Sequence, residues 1–460
     1  MREVQGYPLP LGVQISENKI NFSIAVPTEK KCQLLIYRAG RKRLYRQFEM
    51  ETAVGGVRCI ALTDIEPAEY EYNYLIDGEV VVDPYVQALA GREHWGVKKE
   101  TARHEIRGRF LSQEYDWEGD HTLQIPYHQV IAYSLHVRGF TRHASSKVKS
   151  KGTFQGIIEK IDYLTDLGIN QIHCMPVYEF EECQTYRNYW GYGEGFYFAP
   201  KSAYSSDGDG ARGLKDMVKA CHKAGIEVVL EMPFCTGADK MMMLECLRYY
   251  VMEYHIDGFR FDLMGVHDVT TMNKIREAVD KLDGGKKIIL YGEPWTGGTI
   301  GTSQATAVQS NINKLDNRIG AFNDKIRDAI KGDVFIAANT GFVQQGTNDS
   351  DVIDSIQANN TKTTTGGWAN QPSQCVSYVS AHDNYTLYDK LVLSARTDQN
   401  FTDRDDELVD MNKLTGAMYI TSQGLTFMQA GEEFARTKKG DENSYKSSTS
   451  INMLSWSNVE

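Results

Sequence analysis

The stretch GLKDMVKACHKAGIEVVLEM, residues 213–232, decides the fold class. Its first part places apolar side chains at the spacing of one helical face, at Leu214, Met217, Val218 and Cys221. Gly225 ends that pattern, and the apolar run IEVVLEM follows. The stretch therefore predicts an amphipathic helix that leads directly into a strand, as in α/β proteins.

The same alternation of apolar runs, polar loops and helical patterns recurs on both sides of this stretch. Further strands are predicted at VIAYSLHV (130–137), INQIHCMPV (169–177), IDGFRFD (256–262), KIILYGE (287–293), QCVSYVS (374–380) and GLTFMQA (424–430). A helix is expected between the first two, because apolar residues from Ile157 to Leu167 keep a helical period that Gly168 ends. An eighth strand near LDNRIGAF, residues 315–322, would complete a TIM (β/α)8 barrel, whose active site lies at the carboxyl ends of the strands.

The first 100 residues have a different pattern. Short alternating runs, INFSIAV, CQLLIY, VRCIAL and YEYNYLI, are separated by turn signals, the last of them at Asp77-Gly78. We expect residues 1–100 to form an antiparallel β-sandwich, residues 101–127 a linker and residues 128–460 the barrel.

Composition excludes several classes of function. The 50 basic and 61 acidic side chains leave a net charge of −11, which argues against a nucleic acid as the partner. No apolar run approaches the roughly 18 residues of a membrane span, and MREVQGYPLPLG lacks a signal-peptide core, so a cytoplasmic protein is expected. The eight cysteines form no C-x-x-C pair or zinc spacing; we expect reduced thiols, no metal and no cofactor.

Acids follow three of the predicted strands. Asp262 comes after GFRF, Glu293 after IILYG, and Asp383, preceded by His382, after YVSA. Each alone reads as a capping or solvated acid, but three such residues would converge on one barrel mouth. Cleavage of a glycosidic bond with retention needs a nucleophilic carboxylate and a second carboxyl group of raised pKa, and these strand ends can supply both.

Arg260 lies two residues before Asp262, so the two side chains share a face of one strand. A nearby guanidinium lowers the pKa of a carboxyl group. We therefore expect Arg260 to hold Asp262 in its ionised form.

Several motifs carry a resemblance to a known family. They are GFRFDLMGVHD (258–268), LYGEPW (290–295), YVSAHDNYTLYDKL (378–391), NYWGY (188–192), IGAFNDKIRD (319–328) and QAGEEFARTK (429–438). Together they resemble the debranching branch of the α-amylase superfamily of glycoside hydrolases, which includes type I pullulanases, isoamylases and glycogen-debranching enzymes. The resemblance implies a retaining hydrolase of α-1,6-glucosidic branch linkages in α-glucans, and an N-terminal module similar to starch- and glycogen-binding modules.

The resemblance also implies roles for individual residues. Asp262 would be the nucleophile, Glu293 the general acid/base, and Asp383 the carboxylate that holds the sugar hydroxyls. Substrate contacts would come from Arg260, His382, Tyr192 and Trp190. Of these, Tyr192 is favoured as a stacking surface for the sugar, whereas Trp190 has packing within the loop as an equal alternative.

Two departures from the family pattern change the expectations. EMPFCT places Glu231, Cys235 and Thr236 where the family has Asp, Asn and His, so we expect a more open cleft and a slower hydrolase. The chain also ends at Glu460, soon after the predicted last strand, without the family's last barrel helix and C-terminal β domain. We therefore expect apolar surface near the first and last strands, and an additional chain that could complete the barrel.

Other functions remain open at this point. A glucan-binding protein derived from such an enzyme is favoured by the missing His, and opposed by the retained acids. An α-1,4 amylase of the same superfamily is disfavoured only by the resemblance of NYWGY and YVSAHDN to motifs of debranching enzymes. A dehydrogenase is weaker, because no predicted strand is followed by G-x-G-x-x-G.

Overall fold

A computed structural model describes residues 1–16, 18–51, 53–97, 106–111, 115–234, 239–299, 301–346 and 349–459. The chain divides into two compact units. Unit 1 comprises residues 1–118, 178–183 and 194–215, and unit 2 comprises residues 119–177, 184–193 and 216–460.

Unit 1 contains two antiparallel sheets. The first has the order β1-β7-β3-β2, with β6 paired to β7, and its strands are β1 Arg2–Val4, β2 Gly12–Ser16, β3 Lys19–Ala25, β6 Ala53–Val54 and β7 Val57–Thr63. The second has the order β10-β11-β8-β4-β5, with β9 paired to β8, and its strands are β4 Cys32–Arg38, β5 Leu44–Glu49, β8 Tyr70–Ile76, β9 Glu79–Val81, β10 Leu89–Ala90 and β11 Arg107–Arg109. Both sheets contribute buried residues to one apolar core, including Phe22, Leu62, Leu34 and Tyr72. This arrangement confirms the predicted N-terminal antiparallel β fold.

Unit 1 also includes the hairpin of β14 Tyr178–Phe180 and β15 Gly195–Pro200. Buried Arg92 donates hydrogen bonds to Glu179 and Glu182, and buried Lys201 donates to the same two carboxylates. These ion pairs tie the segment after β10 to the hairpin. The predicted boundaries at residues 100 and 127 stay predictions, since parts of this stretch lie outside the described residues.

Unit 2 is built around a closed barrel of eight parallel strands. In barrel order they are β12 Ile131–Leu135, β13 Gln171–Cys174, β16 Glu227–Met232, β17 Gly258–Phe261, β18 Ile289–Gly292, β19 Ile319–Phe322, β20 Cys375–Ser377 and β21 Leu425–Gln429. The barrel closes where Ile131 of β12 pairs with Thr426 of β21. The (β/α)8 fold is therefore confirmed, including the eighth strand within residues 315–322.

The helices of the chain are α1 Val137–Thr141, α2 Phe154–Ile158, α3 Ile161–Asp166, α4 Gly210–Lys223, α5 Lys240–Tyr254, α6 Val269–Val279, α7 Asp324–Lys331, α8 Asp349–Ile356, α9 Leu387–Ala395, α10 Asp406–Ile420 and α11 Thr449–Asn452. The helix predicted from Ile157 to Leu167 is instead two short helices. Lys160 leaves the helical conformation with φ −112° and ψ 6°, and the Glu159 carboxylate accepts hydrogen bonds from the backbone N–H groups of Lys149 and Ser150. No helix of the described residues is both long and apolar enough to cross a membrane.

A buried network of polar side chains lies at the amino ends of β16 and β17. His222, in the last turn of α4, donates from Nδ1 to Asp120 at 2.9 Å and from Nε2 to Asp257 at 2.8 Å. Because both ring nitrogens face carboxylates, the imidazole is held in its charged form. Burial works to lower the pKa of His222, but the two aspartates outweigh it and raise that pKa. We call this group, together with Glu227, the floor network.

The floor network also fixes the segment that enters the barrel. The Leu123 N–H donates to Asp257 at 3.1 Å, and the Ile125 N–H donates to Glu227 at 2.7 Å. Burial raises the pKa of Glu227 to about 8, and the charge of Asp257 adds to the effect. The group is therefore held protonated at neutral pH.

The segment after β21 covers part of the barrel near its first strand. The Trp456 ring contacts Phe140 and Tyr163 edge-on, at centroid distances of 5.1 and 4.9 Å, and its Nε1 donates to the Phe140 carbonyl at 2.8 Å. β21 is buried throughout, and in β12 only Ile131 is partly exposed. The segment around Trp456 thus covers apolar surface near the first strand, where exposed apolar surface was expected. The additional chain stays a prediction.

Candidate active site

The strand register places two acids side by side at the barrel mouth. Phe261 of β17 pairs with Gly292 of β18, and the next residues are Asp262 and Glu293. A Cβ at position 292 would approach the Phe261 carbonyl oxygen at 2.7 Å and the Met264 side chain at 2.6 Å. The glycine therefore allows the turn after β17 to pack against the end of β18, next to Glu293.

Arg260 joins these two acids. Its Nη1 donates to Asp262 Oδ1 at 2.8 Å and also to Glu231 Oε1, while its Nη2 donates to Glu293 Oε1. Arg260 and Glu231 are paired in the register of β16 and β17, and both are 1% exposed. One buried guanidinium thus serves three carboxylates, so negative charge is in excess at the mouth.

Burial and the neighbouring charges together shift the pKa values of Asp262 and Glu293. Burial raises the pKa of Glu293 to about 8; Arg260 opposes the shift, and Asp262 and Asp383 add to it. Burial also raises the pKa of Asp262, and Arg260 opposes this. Arg260 therefore acts on the pKa of Asp262 in the expected direction, but burial outweighs its effect. The Leu263 N–H donates to Glu293 Oε2 at 2.9 Å and fixes that side chain.

Tyr192 and His382 form one wall of the site. The Tyr192 hydroxyl donates to Glu231 at 2.6 Å and lies 3.0 Å from His382 Nδ1, and the two rings stack with centroids 4.7 Å apart. Burial and the charge of Arg260 lower the pKa of His382 well below its usual value, so the ring is neutral. These two side chains are thus brought together with the acids.

Trp190 lies behind this wall. Its ring is buried, meets His382 edge-on at 4.8 Å, and donates from Nε1 to Ser444 at 3.2 Å and Asn452 at 3.3 Å. It supports His382 from the side, and its contact with substrate stays a prediction.

Asp383 is half-buried and lies six residues after Ser377, the last residue of β20, which is shorter than the strand predicted over residues 374–380. Asn384, the next residue, has φ +59°, and its side chain lies 3.4 Å from the Asp383 carboxylate. The sharp turn at this position directs the chain from the strand end towards α9.

Two residues of the site were not among the sequence-based candidates for it. His173, inside β13, contacts Glu231 at 3.0 Å through Nε2 and the Tyr291 hydroxyl at 2.9 Å through Nδ1. Glu231 accepts from His173, Arg260 and Tyr192. Glu231 could have been predicted from its place at the end of an apolar strand, like Asp262 and Glu293. His173 could not, because the sequence shows only a polar residue within a buried strand.

Cys235 and Thr236, where the family motif has Asn and His, lie outside the described residues. Among the described residues, donor atoms of Glu231, Asp262 and His382 lie within 4.8 Å of one another, a spacing that could hold a metal ion. Arg260 already donates to both carboxylates of this group. The guanidinium therefore supplies the positive charge that a metal ion would bring.

Several known proteins are similar to this chain in sequence and in architecture. The profile of the α-amylase catalytic domain matches residues 137–241. A pullulanase of Bacillus subtilis strain 168 is 28% identical over 90% of this chain and 64% of its own length. The chloroplastic isoamylase 3 of Oryza sativa subsp. japonica is 29% identical over 86% of this chain and 60% of its own length.

The chain is therefore similar to the α-amylase superfamily, whose catalytic-domain profile matches residues 137–241. Within that superfamily its similarity is to the pullulanases and isoamylases of the debranching branch. The crystal structure of a pullulanase from Paenibacillus barengoltzii in complex with maltohexaose and alpha-cyclodextrin has a TM-score of 0.87 and 28% identity, over 98% of this chain and 78% of that one. The chain spans about two thirds or less of the length of the two curated relatives.

Proposed function

We propose that this protein is a retaining hydrolase of α-1,6-glucosidic branch linkages in α-glucans such as pullulan, glycogen and starch dextrins. The observation that carries the proposal is the buried guanidinium of Arg260, which bridges Asp262 and Glu293 at the ends of adjacent barrel strands. The names of the relatives, pullulanase and isoamylase, support the choice of linkage. The maltohexaose bound to the P. barengoltzii enzyme supports an α-glucan as the ligand.

In the proposed first step, the Asp262 carboxylate attacks the anomeric carbon while Glu293 donates its proton to the departing glycosidic oxygen. A pKa of about 8 keeps Glu293 protonated at neutral pH, as a general acid must be. The glycosidic bond breaks and a glycosyl ester of Asp262 forms. In the second step, ionised Glu293 takes a proton from water, the water oxygen attacks the same carbon, and the Asp262 carboxylate leaves.

The remaining residues would bind the reacting sugar. Asp383 would accept hydrogen bonds from sugar hydroxyls, and neutral His382 would bind the same ring. Tyr192 would offer its aromatic face, since its hydroxyl is already bonded to Glu231. Arg260 would hold Asp262 in place for attack and would oppose the effect of burial on the pKa of its carboxyl group.

The proposal extends to the other expectations from the sequence. The sandwich of unit 1 would act as a carbohydrate-binding module, and the chain would act in the cytoplasm on glycogen-like polymers. Binding of amylose or glycogen to residues 1–118, measured with the whole chain and with variants of that sandwich, would test the first of these.

Product analysis tests the proposed function. We would incubate the chain with pullulan, glycogen and amylose and identify the products by chromatography, with Asp262→Asn as the control. Release of maltotriose from pullulan and of linear chains from glycogen is expected. Cleavage of amylose without cleavage of pullulan would indicate an α-1,4 amylase, and binding without any cleavage would indicate a glucan-binding protein.

A further inference from the structure

Lys438, in the loop after β21, carries a buried ammonium group that the proposed mechanism does not use. The residue is 2% exposed, and its Nζ donates to the backbone carbonyl of His382 at 2.8 Å. That carbonyl belongs to the peptide bond between His382 and Asp383. One side chain thus holds the link between two proposed sugar-binding residues.

The loop that carries Lys438 is itself fixed to the helix that follows Asp383. The carboxylate of Asp389, in the first turn of α9, accepts from the Lys438 N–H at 2.8 Å, from the Gly440 N–H at 3.2 Å and from the Thr437 hydroxyl. The loop and the segment from His382 to Asp389 are therefore joined at both ends. Movement of one requires movement of the other.

Burial of the charged ammonium group of Lys438 has a cost in free energy. In the part of the chain that the structure describes, Lys438 Nζ forms no ion pair; it bonds to the His382 carbonyl and sits 5.3 Å above the Trp190 ring. A cavity of about 20 Å³ beside it, enough for one water molecule, is also lined by Trp190, His382, Arg436 and Asn452. A buried cation without a paired anion destabilises the fold, so a role in packing alone would be better served by a neutral side chain.

Charged groups on every side act on Lys438. Burial lowers its pKa to about 7, Arg436 adds to this, and Asp383, Asp389 and Asp441 oppose it. The group is therefore positive through the acidic range in which carboxyl groups titrate. The neutral ring of His382 lies on the same side.

We propose that Lys438 is a positioning residue for Asp383, which holds the His382–Asp383 peptide in place and supplies positive charge to the sugar-binding carboxylate. This inference rests on the proposed hydrolase function. The ammonium does not touch the substrate; it acts through the peptide bond and through its field.

The test compares Lys438→Met with Lys439→Met, a change at the exposed neighbouring lysine. We would measure kcat and KM on pullulan between pH 4 and pH 9, and confirm folding by thermal unfolding. For Lys438→Met we expect kcat to fall about 10- to 100-fold and KM to change less than about threefold. The acidic limb of kcat/KM should move to higher pH by about 0.5 to 1 unit, because a cation that favours ionised carboxylates is lost.

Two further variants keep the test decisive. Lys438→Gln also removes the charge, and it replaces Lys438→Met if that variant does not fold. Lys438→Arg keeps the charge and should restore part of the rate and the wild-type pH profile. Wild-type kcat with an unshifted acidic limb in a folded neutral variant would overturn the inference while leaving the hydrolase function standing. An equal loss in Lys439→Met would also overturn it. Absence of pullulan hydrolysis in the wild-type chain would overturn the proposed function, and this inference with it.

Discussion

The two ends of the barrel carry buried charge networks that differ in the number of acids around one cation. At the floor, the His222 cation bonds to two carboxylates, Asp120 and Asp257, and protonated Glu227 lies next to them. At the mouth, the Arg260 cation bonds to three acids, Glu231, Asp262 and Glu293, with Asp383 nearby. The mouth therefore has more acidic groups for each cation than the floor.

We infer from this difference that the floor network contributes to stability and that the residues at the mouth contribute to catalysis. At the floor, both aspartates bond to His222. The network also accepts hydrogen bonds from the segment that enters the barrel and fixes it in place. At the mouth, burial together with the charges of Asp262 and Asp383 keeps a proton on Glu293, and a proton held at a pKa of about 8 can be given to a leaving group. We expect mutations at the mouth to change rate, and mutations at the floor to change the free energy of unfolding.

The largest effect is expected at Asp262. Asp262→Asn removes the proposed nucleophile, because an amide cannot form the glycosyl ester, so kcat on pullulan should fall at least about 10⁴-fold. The midpoint of thermal unfolding should stay near that of the wild type, since an amide still accepts from Arg260. Turnover within tenfold of the wild type would remove Asp262 from the mechanism.

Glu293 gives the next largest effect. Glu293→Gln cannot donate a proton, and we expect a loss of about 10³-fold in kcat on pullulan. In the wild type, kcat/KM should fall as the pH rises above about 8, because the group then loses the proton that the first step needs. A pH profile that stays flat to pH 9.5 would contradict this acid assignment.

At the floor we expect a loss of stability with little change in rate. Asp257→Leu leaves the charged His222 with a single aspartate and also removes the acceptor of the Val228 N–H, which should lower the free energy of unfolding by roughly 3 to 5 kcal/mol. Exposed Asp283→Asn is the matched control and should be near neutral. Urea denaturation measures both. If Asp257→Leu lowered kcat far more than stability, the separation of the two barrel ends would be wrong.

The smallest effect is the pH dependence of stability. Glu227 has a folded pKa of about 8, above its ordinary value of 4.5, so the folded state binds its proton more tightly than the unfolded state. Its contribution is present below about pH 4.5 and is lost as the pH rises to about 8. The raised pKa of His222 acts in the same direction, since its stabilisation is full below about pH 6.5 and is lost above it.

Glu227→Gln removes one of these two titrations. The decline in the free energy of unfolding between pH 5 and pH 9 should become smaller by on the order of 2 kcal/mol. An unchanged slope in urea denaturation across this range would show that Glu227 does not titrate differently in the folded state.

Local patterns in the sequence were sufficient for the barrel and for the acids of the mouth. The strands end where apolar runs end, and the residue at such an end must lie at the mouth, which is how Asp262 and Glu293 could be predicted. The spacing of Arg260 and Asp262 likewise follows from one strand. The eighth strand was harder to predict from LDNRIGAF, because only its last four residues, IGAF, form β19.

Other features depend on contacts between distant parts of the chain. His173 and Lys438 reach the site from β13 and from the loop after β21, and no local spacing relates them to Glu231 or to His382. The net pKa shift of Asp262 required knowledge of its burial as well as of its neighbour. The break between α2 and α3 falls at Lys160, next to Glu159, whose side chain bonds to a loop that precedes both helices.

The pairing of β12 with β21 has a consequence for synthesis of the protein. The first and last barrel strands are hydrogen-bonded to each other, although about 290 residues separate Leu135 from Leu425. At roughly 5 to 20 residues per second, the ribosome needs about 15 to 60 s to make that intervening stretch. Throughout this interval β12 has one open edge, and edges of this kind are the sites at which chaperones are needed and aggregation begins.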